Sequence, residues 1–146
     1  GTGVINRIFH GYGKFEGEMD GRKNGALISM STGKAVAFAI FNLQARGEMF
    51  VTHNDPVYEG MIVGLTPKPG DMIINVMKGK QLTNMRTQGT DENVVLTPVR
   101  QMSIAEQLSM LNTDEALEIT PKSLRLRKAI LNPHERKKSE KSGAAA

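Results

Sequence analysis

Short apolar runs recur along much of the chain, and their length and spacing predict short strands. The pattern is visible at residues 4–9, 48–53, 56–65, 71–77 and 94–99. Segments rich in Asn, Asp, Pro and Gly separate most of these runs and indicate turns. Short strands at such close spacing are typical of a small barrel or sandwich.

Two interpretations are open for the stretch that follows the first glycine-rich loop. The runs ALISM and AVAFAIF, joined by STGK, predict a β-hairpin over residues 26–41, followed by one helical turn that ends at Gly47. The competing interpretation is a continuous helix over residues 35–46, because alanine-rich windows also favour helices.

The clearest helix signal lies in residues 102–112. Ser103 precedes Glu106 by three residues, which forms a capping box, and Ile104 and Leu108 then share one face. Together with the strand pattern, this predicts a mainly β fold with one or two short helices, in the α+β class.

The C-terminal part of the chain is strongly basic. Residues 122–141 carry eight cationic and two anionic side chains, a net charge of +6 in a chain whose total is +4. Arg125 and Arg127 alternate with leucines, so a strand here would place two guanidinium groups on one face. The charge favours a polyanionic partner, since each phosphate contact releases counterions. The alternative is a solvated tail, and residues 132–146 are predicted to be disordered because they lack apolar periodicity.

No catalytic motif stands out. The chain has no Cys, which excludes thiolate chemistry and disulfides, and its three histidines lack the spacing of a metal pair. The segment STGKA lacks the first Gly and the final Ser or Thr of a phosphate-binding loop. No apolar run approaches the roughly 18 residues of a spanning helix, so no membrane partner is predicted.

Two loops are instead rich in cationic and amide side chains, which contact phosphates and base edges in RNA-binding proteins. The first loop contains Arg22 and Lys23, and the second runs from Lys78 through KGKQLTNMRTQGTDEN. This composition indicates nucleic-acid binding, against the alternative of ordinary solvated loops.

Five segments, GRKNGALIS, FNLQARGEMFV, VYEGMIVG, KGKQLTNMR and EITPKSLRLRK, resemble in this order the C-terminal part of the BipA (TypA) family of translational GTPases. The resemblance implies that residues 1–12 form the closing strand of an α/β domain homologous to domain V of elongation factor G. Residues 13–131 would then form the small barrel-like C-terminal domain of BipA, and residues 132–146 a basic disordered tail.

The resemblance also implies a function: a non-catalytic, ribosome-binding module of a cytoplasmic GTPase that acts in stress adaptation and ribosome assembly. Its partners would be large-subunit RNA, the acceptor arm of A-site tRNA and the remaining domains of the GTPase. GTP and Mg²⁺ would belong to the GTPase domain, and this segment would need no cofactor. The alternative is a protein-interaction domain that binds acidic protein surfaces. The residues predicted to contact RNA are Lys78, Lys80, Thr83, Asn84, Met85 and Arg86 in the long loop, Lys122, Arg125, Arg127 and Lys128 in the basic strand, and Arg22 and Lys23.

Overall fold

A computed structural model describes residues 3–15, 17, 22–79 and 95–144 of the chain. Within these residues strands dominate and three short helices accompany them, which confirms the α+β class, with one helix more than the one or two predicted. In chain order the elements are β1 Ala26–Ser29, β2 Gly33–Lys34, α1 Ala37–Gln44, β3 Glu48–Met49, β4 Pro56–Val57, β5 Ile62–Leu65, β6 Met72–Ile74, α2 Ile104–Ser109, β7 Glu115–Ile119, β8 Leu124–Lys128 and α3 Pro133–Ala144.

The strands form three small open sheets. The largest has the order β3-β5-β1-β6, in which β1 is antiparallel to β5 and parallel to β6. The pairs β2-β4 and β7-β8 are both antiparallel. The β7-β8 hairpin joins the large sheet through a bridge between Met61 and Arg127, and the Lys128 N–H donates to the Gly60 carbonyl at 2.9 Å.

The core lies on both faces of the large sheet, which is why β1 and β5 read as continuous apolar runs. On one face Leu27 and Val63 pack with Ile40 of α1, within a larger apolar cluster. On the other face Ile28 and Ile62 pack with further apolar residues that include Leu126 of the hairpin. The hairpin is therefore part of the folded body.

The predicted hairpin over residues 26–41 is wrong, and the competing helix is close to correct. Strand β1 pairs with β5 and β6 instead of with the following run, and residues from Ala37 onward form α1. The apolar run at 56–65 also divides into two strands, because the chain turns at Gly60. Gly60 has φ +85°, and a Cβ there would lie 2.7 Å from the Leu131 Cα, so a side chain would be both strained and obstructed.

The predicted strands at residues 4–9 and 94–99 are wrong for the parts of them that the structure describes. Residues 3–15 and 95–99 have no strand, and Ile8 and Phe9 are 92% and 76% exposed. A strand forms only by pairing with a neighbour, and no described segment pairs with either run. Most of the predicted long loop, residues 80–94, lies outside the described residues.

The prediction of a disordered tail over residues 132–146 is wrong for most of it, because Pro133–Ala144 form a helix. Asn132 caps α3, since its Oδ1 accepts from the His134 N–H at 2.9 Å, and Pro133 occupies the first helical position. The Arg136 guanidinium donates to the Ile130 and Leu131 carbonyls and ties the helix to the preceding turn. Local capping thus forms this helix without an apolar face. None of the helices in the described residues has the length and apolar character needed to cross a membrane.

Candidate nucleic-acid interface

An open cleft of about 650 Å³ separates the tip of the β7-β8 hairpin from the segment at residues 100–107. Apolar side chains that include Phe50, Ile62 and Leu126 form its floor. Among the described residues, 15 line the cleft, and they include three cations and no carboxylate; the cations are Arg100, Lys122 and Arg125. A cleft with an apolar floor and a cationic rim suits a ligand that is both anionic and partly apolar.

The hairpin tip is held rigidly by its own hydrogen bonds. The Thr120 N–H donates to the Ser123 carbonyl at 2.9 Å, and the Ser123 N–H donates to Thr120 Oγ1 at 3.0 Å. Lys122 sits at the apex of this turn and is exposed. Because Thr120 and Ser123 close the turn, the Lys122 ammonium is presented to solvent from a fixed backbone.

Arg125 forms only a weak ion pair with Glu118, because Tyr58 binds the Glu118 carboxylate. Glu118 faces Arg125 across the hairpin, but its Oε1 lies 3.8 Å from the guanidinium, while its Oε2 accepts a 2.5 Å hydrogen bond from the Tyr58 hydroxyl. Burial and this bond to Glu118 raise the pKa of Tyr58 well above its ordinary value, so Tyr58 remains a donor. The Glu118 carboxylate is thereby engaged away from Arg125, which leaves a weak ion pair.

Arg100 forms the opposite rim of the cleft. Its guanidinium lies 3.1 Å from Glu48 and 3.8 Å from Glu106, and its side chain is 34% exposed. Glu106 is held by the α2 capping box: hydrogen bonds from the Ser103 N–H and hydroxyl hold its pKa below the usual value. The capping box that the sequence predicted is therefore confirmed, and it also fixes a partner of Arg100. No local sequence signal marked Arg100, since the cleft brings together residues that are distant in the chain.

Two of the predicted RNA contacts lie inside the protein. The Lys128 side chain is 2% exposed, and its Nζ lies 2.5 Å from Asp71, 2.7 Å from Asp114 and 3.2 Å from Glu115. The Arg22 side chain is 7% exposed, and its guanidinium makes two hydrogen bonds to Glu115, at 2.8 and 3.1 Å. These five residues, which we term the ion cluster, link β1, β6, β7 and β8.

The pKa shifts within the ion cluster follow from this pairing. Burial disfavours the charged form of Asp71, but the Ala26 N–H and Lys128 together hold its pKa below the ordinary value. Burial also disfavours the charged form of Lys128, but hydrogen bonds to Asp114 and Asp71 raise its pKa. The alternation predicted for β8 is correct, but Lys128 falls on the inner face with the leucines. Arg22 and Lys128 are committed to carboxylates of the same chain.

The remaining predicted residues divide into three groups. Lys23 is exposed, while Arg127 is half-buried and donates to the Lys128 and Ala129 carbonyls. Lys78 is exposed and lines a different groove, between α1 and β6. Five further residues, Lys80, Thr83, Asn84, Met85 and Arg86, lie outside the described residues. The structure thus brings Lys122 and Arg125 together in one cleft and adds Arg100 to them.

Nothing in the described part of the chain resembles a metal centre, because no group of three or more His, Asp or Glu side chains there is arranged to hold an ion. The closest assembly of carboxylates is the ion cluster, whose three acids face two cations.

Comparison with known proteins shows what this chain is similar to. A family model described as the TypA/BipA C-terminal domain matches residues 24–133. The chain is 51% identical over 142 residues to a protein of Buchnera aphidicola subsp. Schizaphis graminum, and 44% identical over 142 and 143 residues to proteins of Salmonella typhimurium and Escherichia coli O6:H1. All three relatives are named "Large ribosomal subunit assembly factor BipA".

These alignments cover 97% of this chain but only 23% or 24% of each relative, so the chain spans about a quarter of the length of the curated relatives it matches. The family model covers residues on both sides of the cleft and all of the ion cluster except Arg22. The chain therefore belongs to the TypA/BipA family, in the region of its C-terminal domain.

Proposed function

We propose that this chain is a non-catalytic RNA-binding module of a BipA-type GTPase that acts in assembly of the large ribosomal subunit. The observation that carries the proposal is the cleft: in the part of the chain that the structure describes, three cations and no carboxylate line it, and the relatives of the chain are named large ribosomal subunit assembly factors. RNA is the polyanion that such a factor meets.

The chemistry of the cleft matches the parts of a nucleotide. Lys122 and Arg125 on one rim and Arg100 on the other would bind phosphate oxygens. The exposed amide of Gln101 would contact a ribose or base edge, and the apolar floor beside Phe50 would accept the face of an unpaired base. The surface ion pairs of Arg100 and Arg125 are weak enough for phosphate to replace them.

The resemblance to BipA supports a finer proposal. The C-terminal domain would lie beside the acceptor arm of A-site tRNA, and the segment that begins at Lys78 would reach toward the peptidyl-transferase centre. Lys78, Lys80 and Arg86 would neutralise phosphates there, and Thr83, Asn84 and Met85 would contact nucleotides. GTP hydrolysis with Mg²⁺, a role in stress adaptation and a cytoplasmic location would belong to the whole protein.

Binding to purified large ribosomal subunits over a salt series tests the proposal. The cleft variant carries Arg100→Gln, Lys122→Gln and Arg125→Gln. Its matched control carries Lys14→Gln, Lys34→Gln and Lys68→Gln, which removes the same charge from exposed positions outside the cleft. Each phosphate contact contributes about −0.7 to the slope of log K against log salt for single strands, so the cleft variant should lose about 2 units of slope.

The control variant should bind nearly as the unmodified chain does. Equal loss in the two variants would mean that net charge alone drives binding, and the cleft would have no special role. Retained binding in both variants, with the same salt slope, would place the interface elsewhere. If ribosomal proteins from which the RNA has been removed bind the chain equally well, an acidic protein surface would be favoured as the partner.

A further inference from the structure

A second groove, of about 540 Å³, lies between α1 and the edge strand β6. Strand β6 occupies one end of the four-stranded sheet, and no further described strand pairs with it. The Ile74 carbonyl accepts from Met30 on the β1 side, so the N–H and C=O of the preceding residue, Ile73, point away from the sheet. Among the described residues, the N–H donor and the C=O acceptor of Ile73 therefore have no partner, and they face this groove.

The opposite wall of the groove is α1. Ala39 and Leu43 are buried on this side of the helix, Phe38 is half-buried, and the exposed amide of Asn42 lies beside them. A helix that faces the open edge of a strand forms a slot in which an extended peptide is able to pair with the strand and pack its side chains against the helix.

The cationic residues of the groove determine which extended peptides it would bind. Arg46 and Lys78 line it, both are exposed, and neither forms an ion pair within the described residues. None of the described residues that line the groove carries a carboxylate. An extended segment with a carboxylate at the cationic end and apolar side chains toward α1 would complement both features.

We propose that this groove binds an extended peptide segment of a partner protein, which adds to β6 as a further strand and places a carboxylate against Arg46 and Lys78. The cleft at the hairpin would then bind RNA and this groove a protein; Lys78, at the start of the loop assigned to RNA, would contact the peptide carboxylate when the groove is occupied. The groove is apolar along α1 and offers main-chain groups of a strand edge, features that suit a peptide better than a phosphodiester backbone.

The probe is a fluorescein-labelled heptapeptide of alternating threonine and valine with a central aspartate, titrated into the ¹⁵N-labelled chain to about 1 mM. The amide resonance of Ile73 should move in a saturable way and gain protection from hydrogen exchange. The variant Arg46→Ser with Lys78→Ser should weaken binding about five- to tenfold, because two surface charge contacts are lost. The matched control Lys34→Ser with Lys68→Ser should bind as the unmodified chain does.

Two further arms separate the strand contact from simple charge attraction. A peptide with lysine in place of the aspartate should bind at least fivefold more weakly. Ile73→Pro removes the outward N–H at an edge position where proline is tolerated, and should abolish the peptide-induced shifts on α1 while the other resonances stay in place.

Three results would overturn the proposal: no saturable shift at Ile73, equal binding of the aspartate and lysine peptides, or displacement of the peptide by a ten-nucleotide oligouridine that shifts the same resonances. The last result would make the groove part of the RNA interface. Binding of large ribosomal subunits is measured separately, so failure here leaves the proposed RNA-binding function intact.

Discussion

The ion cluster leads to a specific prediction about stability, because it buries the ammonium group of Lys128 among three carboxylates. Replacing Lys128 by Met removes its charge and shortens the side chain by only one heavy atom. Three carboxylates lie within 3.2 Å of the Lys128 ammonium, and they would lose a cation that is 2% exposed. Removal of one partner from a buried ion pair costs about 3–5 kcal/mol.

The structure places the expected loss at the lower end of this range. Glu115, which is fully buried, would keep its two hydrogen bonds from Arg22. The Asp71 and Asp114 side chains are 33% and 59% exposed, so water would partly replace Lys128 for both. We therefore expect Lys128→Met to lower the free energy of unfolding by about 3 kcal/mol.

Urea denaturation followed by far-ultraviolet circular dichroism measures this loss. With a slope of about 2 kcal/mol per molar urea, the midpoint should fall by about 1.5 M. Lys122→Met at the exposed tip of the same hairpin is the matched control, and its stability should change by no more than about 0.5 kcal/mol. A loss below about 1 kcal/mol for Lys128→Met, or equal losses in both variants, would refute the structural role assigned to the ion cluster.

Three further predictions concern single groups. Tyr58→Phe frees Glu118 to pair fully with Arg125, so RNA affinity in filter binding should fall about threefold; an unchanged affinity would show that Tyr58 does not control Arg125. Asn132→Ala removes the cap of α3 and should lower the stability of that helix by about 1 kcal/mol. Amide exchange in residues 134–138 should then be faster; exchange equal to that of the unmodified chain would contradict the capping role. The lowered pKa of Asp71 means that its contribution to stability is present above the unfolded value of about 3.9 and is lost as the pH falls through the folded value. The urea midpoint of Asp71→Asn should consequently vary less with pH below 4 than that of the unmodified chain, and an identical pH profile would exclude Asp71 as the titrating group.

The sequence correctly predicted those elements that are determined by residues close together in the chain. The Ser103 and Glu106 capping box marked α2, and the alternation at residues 124–127 marked β8 with its outward arginines. Pairing partners decided the remaining elements. Residues 26–30 read as one arm of a hairpin, yet β1 is a central strand, because two distant strands pair with its edges while α1 and the β7-β8 hairpin cover its faces.

Only part of the candidate site could be predicted from the sequence, because segments that are distant in the chain form it together. Lys122 and Arg125 were evident from the basic strand, whereas Arg100 belongs to the cleft only because α2 packs near the hairpin. The period-two alternation already places Lys128 on the face of the leucines, but the position of Asp71, 57 residues earlier in the chain, is not visible in the sequence and shows that the charge of Lys128 is used internally. Net charge in a sequence therefore overstates the charge that a surface presents.

The most direct test of the central claim is photo-crosslinking from inside the cleft. A photoreactive phenylalanine analogue at Ser123, which lines the cleft at the hairpin tip, would be irradiated in complex with large ribosomal subunits, with the same analogue at Lys34 as the control position. RNA binding in the cleft predicts crosslinks from position 123 to large-subunit RNA and few from position 34. Crosslinks from position 123 to ribosomal proteins alone, or equal RNA crosslinking from both positions, would contradict it.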